Sequence, residues 1–147
     1  MPSNKTGVMG AAGAGDSNDG LVPMTYFNAG NGASGRRGDG TTLTKYSPVQ
    51  IGGVGEWLTA TVGIENGFGV KSDNTLWTWG AGTSGALGDG TTTTKSSPVQ
   101  VGSDTDWLRV GEGMCGGFPG SFGMCVKTDG TLWTWGEAAD GRLGNGS

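Results

Sequence analysis

Residues able to do chemistry are few in this chain and widely spaced. Histidine is absent, which excludes His-based triads and His metal sites. Asp89-Gly90-Thr91-Thr92 has the outline of a calcium loop. It brings a single carboxylate, however, where calcium takes about six to eight oxygens, so it reads as a turn. The Gly-rich turns lack a following Lys-Ser/Thr and a helix, and so do not form a phosphate loop. Arg37-Gly38-Asp39 spells an integrin-binding tripeptide, but its counterpart Leu87-Gly88-Asp89 stands in an equivalent turn, so the match reads as chance. Cys115 and Cys125 could bridge a hairpin, yet the register that aligns the repeats puts Cys115 in a loop and Cys125 in a strand, not face to face. No catalytic, cofactor-binding or metal-binding residue is assigned, and no enzymatic activity is expected. Two surface features remain as interaction candidates. One is the segment 114–121 with its apolar tip, Phe118-Pro119; its plain alternative is a neutral insertion. The other is Gly35-Arg36-Arg37-Gly38, the most basic spot of the chain, with a solvated turn as the alternative.

Internal repetition supplies the elements that must position these residues. Thr75-Leu76-Trp77-Thr78-Trp79-Gly80 returns unchanged as Thr131-Leu132-Trp133-Thr134-Trp135-Gly136. Alternating aromatic and β-branched residues closed by Gly predict a β-strand ended by a turn. Gly88-Asp89-Gly90-Thr91-Thr92 repeats Gly38-Asp39-Gly40-Thr41-Thr42, and Ser97-Pro98-Val99-Gln100 repeats Ser47-Pro48-Val49-Gln50. Trp107-Leu108 repeats Trp57-Leu58, and Val126-Lys127-Thr128-Asp129 parallels Val70-Lys71-Ser72-Asp73. A period near fifty residues, with short strands and Gly turns, indicates a propeller or solenoid. Thr25-Tyr26-Phe27-Asn28-Ala29-Gly30 is a degraded copy of the hexapeptide, as expected at a domain edge. The Pro-led segments fit the outermost strand of a blade, because Pro cannot donate to a ladder. Strands are expected at 25–30, 47–51, 57–63, 68–72, 75–80, 98–102, 107–113, 122–128 and 131–136. Trp57, Trp77, Trp79, Trp107, Trp133 and Trp135 are expected to form the core, since each can bury a large apolar area.

These motifs resemble the regulator of chromosome condensation repeat family, whose repeat runs from a Trp-led strand through an Asp-Gly turn, a Leu-Trp-x-Trp-Gly strand and a Gly-x-Leu-Gly turn to a Ser-Pro-Val strand. The resemblance covers residues 26–147 and implies four-stranded propeller blades. The family's usual His between the first two strands has no counterpart here; Asn66 and Phe122 stand near its place. The expected fold is all-β: a partial β-propeller of about two four-stranded antiparallel blades at 25–147, preceded by an extended Gly/Ala-rich N-terminal arm at 1–24. Nine strands fall short of the roughly 28 of a seven-bladed ring. The blade array is therefore expected to be completed by copies of itself, by a longer parent protein or by another protein.

Composition narrows the function classes. Of 147 residues, 33 are Gly, and their fixed places in the repeat assign them to turns rather than to disorder. A net charge of −4 gives no long-range attraction to DNA or anionic lipid, so neither nucleic-acid binding nor membrane insertion is expected. Residues 1–24 carry too little apolar surface to offset the entropy of ordering alone. They read as a flexible tail or as an arm that packs on other subunits, and their composition is similar to the starts of virion proteins of tailed marine phages. The reading that joins these points is a structural, oligomeric component of a phage virion (tail, fibre or capsid surface) whose partners are other virion proteins or its own copies. The alternative is a cytoplasmic or secreted binding module of the kind by which family members regulate GTPases or inhibit enzymes.

Overall fold

The computed structural model describes residues 20–111, 122–138, 141, 143 and 144. Among them lie nine strands in three antiparallel sheets. The first sheet pairs β1 (Tyr26–Gly30) with β2 (Lys45–Ile51). The second has four strands in chain order, β3 (Trp57–Val62), β4 (Asn66–Lys71), β5 (Leu76–Gly80) and β6 (Lys95–Gln100). The third has three, β7 (Trp107–Val110), β8 (Phe122–Lys127) and β9 (Leu132–Gly136). The middle sheet is one complete blade. The first supplies the two outer strands of a blade and the third the inner three.

The inner three strands of the middle blade are short segments with buried residues on both faces, whereas the outer strand β6 has none that is fully buried. Trp57 and Trp79 face the first sheet and pack on Ile51, Tyr26 and Val62. Leu58, Phe68, Val70 and Leu76 face the third sheet and pack on Trp107, Val110 and Cys125. β4 makes room for the large rings by alternating glycine with apolar residues. Gly67 lies opposite Trp79 and Gly69 opposite Trp77. A Cβ on Gly67 would enter the Trp79 ring, and one on Gly69 would enter the Trp57 ring. In the third sheet Gly123 holds the same place under Trp135, whereas Cys125 stands where Gly69 does.

Successive blades are joined at their inner strands. Asn74, which takes a left-handed conformation after the Asp73 turn, accepts from the Trp107 N–H (3.1 Å) and donates its side-chain amide to the Trp107 carbonyl (2.9 Å). Met24 holds the same place one repeat earlier and exchanges two backbone hydrogen bonds with Trp57. Leu21 packs against the second core cluster. Within 20–24, then, the expected arm packs on this chain's own strands, where Met24 completes the inter-blade ladder. The rest of the arm, 1–19, lies outside the described residues.

Candidate interaction surface

The two candidate features fare differently. Phe118 and Pro119 lie outside the described residues, as does Cys115. Arg36 and Arg37 sit in the tight turn after β1, and the turn does not present them together. Arg36 is partly exposed and folds its Nε back onto the Ala33 carbonyl (2.9 Å). Arg37 is 1% exposed, which corrects the expectation of an exposed basic pair. Its guanidinium turns inward to an ion pair with Asp39 and a 3.2 Å hydrogen bond to Thr41 Oγ1. The physical reason lies in the repeat. Position 37 corresponds to Leu87, a core position, and Arg37 can occupy it only by taking a counter-charge with it. The Arg-Gly-Asp tripeptide thus spends both of its charges on each other.

The Asp-Gly turns hold no free carboxylate cluster either. Asp39, Asp73, Asp89 and Asp129 each accept from both the backbone N–H and the Oγ1 of the Thr two residues on. This side-chain turn fixes the backbone locally. At Asp129 the Thr131 hydroxyl, then its N–H, hold the carboxyl below the usual range. The recurrent Asp-x-Thr spacing is the sequence signal for this device.

A second device escaped sequence reasoning. Lys71 lies over the rings of Trp77 (3.5 Å) and Trp57 (5.4 Å) and pairs with Glu56 (2.5 Å). Lys127 repeats this over Trp107 and Trp133, paired with Asp104 (2.6 Å) and Asp106 (3.0 Å). The hydrogen bonds that Lys127 donates to the Asp104 and Asp106 carboxylates raise its pKa. The repeated Val-Lys-Ser/Thr-Asp motif was its available sign.

What remains as surface is the pair of end faces. Trp57, Trp79 and Trp107 are buried, and Trp77 and Trp135 are partly buried. Trp133, expected in the core, is 50% exposed, and Leu132 is 59% exposed although its repeat mate Leu76 is wholly buried. Burial here is set by the neighbour: among the described residues no strand pairs with the outer side of β9 and no sheet covers its Leu132 face, while Trp135 on the opposite face packs on Phe68 of the middle sheet. At the other end Phe27 and Tyr46 are exposed. Between these ends, the inner strands β3 and β7 flank a groove of about 760 Å³ lined by Leu21, Met24, Leu58, Thr59, Val110 and Val126.

One stretch of the chain has a family match, and the fold has a counterpart among solved structures. The model of the regulator of chromosome condensation (RCC1) repeat matches residues 73–117, which run from within the β4–β5 turn past β7. The crystal structure of human WBSCR16 is similar with a TM-score of 0.64 at 18% identity, over 82% of this chain and 31% of that one. Yeast RCC1 (Prp20) bound to Kap60 gives 0.47 at 14% identity, over 86% and 43%. Prp20p from Saccharomyces cerevisiae, described with its binding to Gsp1p and histones, gives 0.45 at 14% identity, over 86% and 44%. The chain therefore spans less than half the length of these structures. No curated protein matches it. The fold is all-β, a section of an RCC1-like propeller.

Proposed function

We propose that this chain is a non-enzymatic structural and interaction subunit built on RCC1-like blades, and, within that class, a component of a bacteriophage virion such as a tail, fibre or capsid-surface protein. The observation that carries the interaction role is the contrast between Leu76 and Leu132. The same residue in the same hexapeptide is wholly buried where a neighbouring blade covers it and 59% exposed at the end of the array. Leu132 on one face and Trp133 on the other leave apolar area exposed on both sides of β9, of the kind that marks a contact site. The virion reading is supported by the Gly/Ala-rich composition of 1–24 and by chemistry-bearing residues that are spent on turns and ion pairs. Cross-linking and sedimentation of the chain from its native source test it. A defined multi-subunit particle is expected. A one-to-one complex with a soluble enzyme or GTPase would replace the virion reading by that of a cellular binding module.

A further inference from the structure

Two polar side chains of the middle blade are sealed inside its seam with the third sheet. Asn66 on β4 and Thr78 on β5 are both wholly buried. Among the described residues, Asn66 Nδ2, Asn66 Oδ1 and Thr78 Oγ1 have no hydrogen-bond partner. The ladder sets Thr78 opposite Phe68 and Asn66 opposite Gly80. Alternation therefore puts both on the face that carries Phe68, Val70 and Leu76, the face turned to the third sheet. A buried donor or acceptor left unmet costs the full desolvation of that group. An amide with both ends unmet, beside an unmet hydroxyl, is a set that one small polar molecule can satisfy.

The other two repeats show why Thr78 is left over. In both, the residue at its position bonds to a turn carbonyl. Thr134 Oγ1 donates to the Leu143 carbonyl at 2.8 Å, and Asn28 Nδ2 donates to the Arg37 carbonyl at 3.4 Å. Leu87 is the matching residue of the middle repeat. β1 and β5 each carry an outer strand. In the first repeat, which shares that arrangement, the asparagine reaches the carbonyl only at 3.4 Å, with a side chain one bond longer than that of threonine. Thr78 does not span the gap. In the third repeat Phe122 stands where Asn66 does and Thr134 has its carbonyl, so the same set does not form there.

We infer that the seam between the second and third sheets binds one water molecule, held by the Asn66 side-chain amide, the Thr78 hydroxyl and the Leu87 carbonyl. The water accepts from Asn66 Nδ2 and Thr78 Oγ1 and donates to Asn66 Oδ1 and the Leu87 carbonyl. That uses its full donor and acceptor capacity, at the upper end of the roughly two to four bonds that internal waters make. Phe68 and Trp135 meet edge to face at 5.9 Å in this seam, and Trp135 bonds to the carbonyl of Ala86, the residue before Leu87. The water thus ties β4 and β5 to the turn that Trp135 holds from the next sheet. The site belongs to the joint between blades and is the same whichever partner the chain takes.

Magnetic relaxation dispersion of the solvent oxygen counts long-lived internal waters and is blind to the exchange of hydroxyl protons. The comparison is between the 147-residue chain and its double variant Asn66→Leu, Thr78→Val, which keeps the approximate shape and removes all three unmet atoms. The parent should hold one long-lived water more than the variant, with circular dichroism showing that both are folded. Equal dispersion in the two folded chains would overturn the site. Should the double variant fail to fold, Thr78→Val alone takes one bond from the water, which should then exchange roughly fivefold or more faster. An unchanged exchange rate in that variant counts against the site. A crystal structure of the parent chain needs no variant. It should show one solvent peak within hydrogen-bond distance of the Asn66 amide, Thr78 Oγ1 and the Leu87 oxygen. A direct bond from Thr78 to Asn66 or to Leu87, with no solvent between them, would sink the proposal.

Discussion

The indole nitrogen of Trp79 lies 2.9 Å from the carbonyl oxygen of Arg36, in the turn of the preceding blade. One repeat later Trp135 makes the same bond to Ala86, at 3.0 Å. The second Trp of each hexapeptide therefore both fills the space over a glycine of its own sheet and latches that sheet to the turn before it.

Burial should decide what the same substitution costs at the second Trp of the middle blade's hexapeptide and at the first Trp of the end blade's. Trp79→Ala removes a fully buried ring and its latch and should cost about 3–5 kcal/mol. Trp133→Ala, at a half-exposed position, should cost about 1 kcal/mol or less. Urea denaturation of both variants checks the order. Equal losses would mean that the end blade is as well covered as the middle one.

Gly38 has φ +76°, and a Cβ there would meet the Trp79 Nε1 at 2.9 Å. Gly90 has φ +78° and open space around it. Gly90→Ala should thus show only the left-handed penalty, about 1–2 kcal/mol. Gly38→Ala should cost at least about 1 kcal/mol more, because the latch must lengthen or break. Thermal unfolding of the two variants measures the difference.

Arg37 tests whether its ion pair stabilises the turn or merely makes a charge tolerable there. Arg37→Ala leaves Asp39 unpaired and should cost about 3 kcal/mol. Arg37→Leu restores the residue type of the repeat mate Leu87 and should cost less than half as much, since Asp39 keeps its bonds to Thr41. A binding assay on immobilised integrin should show no adhesion to the folded chain by way of Arg37-Gly38-Asp39, and adhesion lost with Asp39→Glu would contradict the buried geometry.

Alkaline stability follows from two buried acids. Burial pushes the Tyr26 hydroxyl up from 10.0 to about 12, and burial pushes the Cys125 thiol up from 9.0 to about 12. Both pKa values are raised on folding, so the unfolded chain releases protons first. Stability is complete below pH 9, and falls as pH rises from 9 to 12 for Cys125 and from 10 to 12 for Tyr26. The double variant Tyr26→Phe, Cys125→Ala should show a flatter stability profile over that window. A profile as steep as that of the parent would place the sensitivity elsewhere.

The strands were legible because alternation and Gly turns are local. The segment 75–80 became β5 (Leu76–Gly80), and the Pro-led segments became the outer strands β2 and β6. Starts were set less well. β4 begins at Asn66, two residues before the expected Phe68, because Gly67 pairs with Trp79 although glycine is a weak strand former. Exposure was not legible. Trp77 and Trp133 have the same local sequence, and only the strand beside each distinguishes them. Arg37 was misread for a related reason: its charge was visible, but the core position it inherits from the repeat outweighs it. The Gly-x-Gly spacing of Gly67 and Gly69, opposite a Trp-x-Trp strand, was a usable sign of ring-over-backbone packing.

The latch has a direction. Its donor always belongs to the later blade and its acceptor to the earlier one, so the joint between blades is vectorial, like a hook and an eye. β1 carries Ala29 at the hook position and has no indole to offer backward. A unit of this kind can be engaged through its turns by a following blade but cannot clasp a preceding one. Any array that reuses the joint between molecules would grow by a heterologous, head-to-tail contact of a single sense.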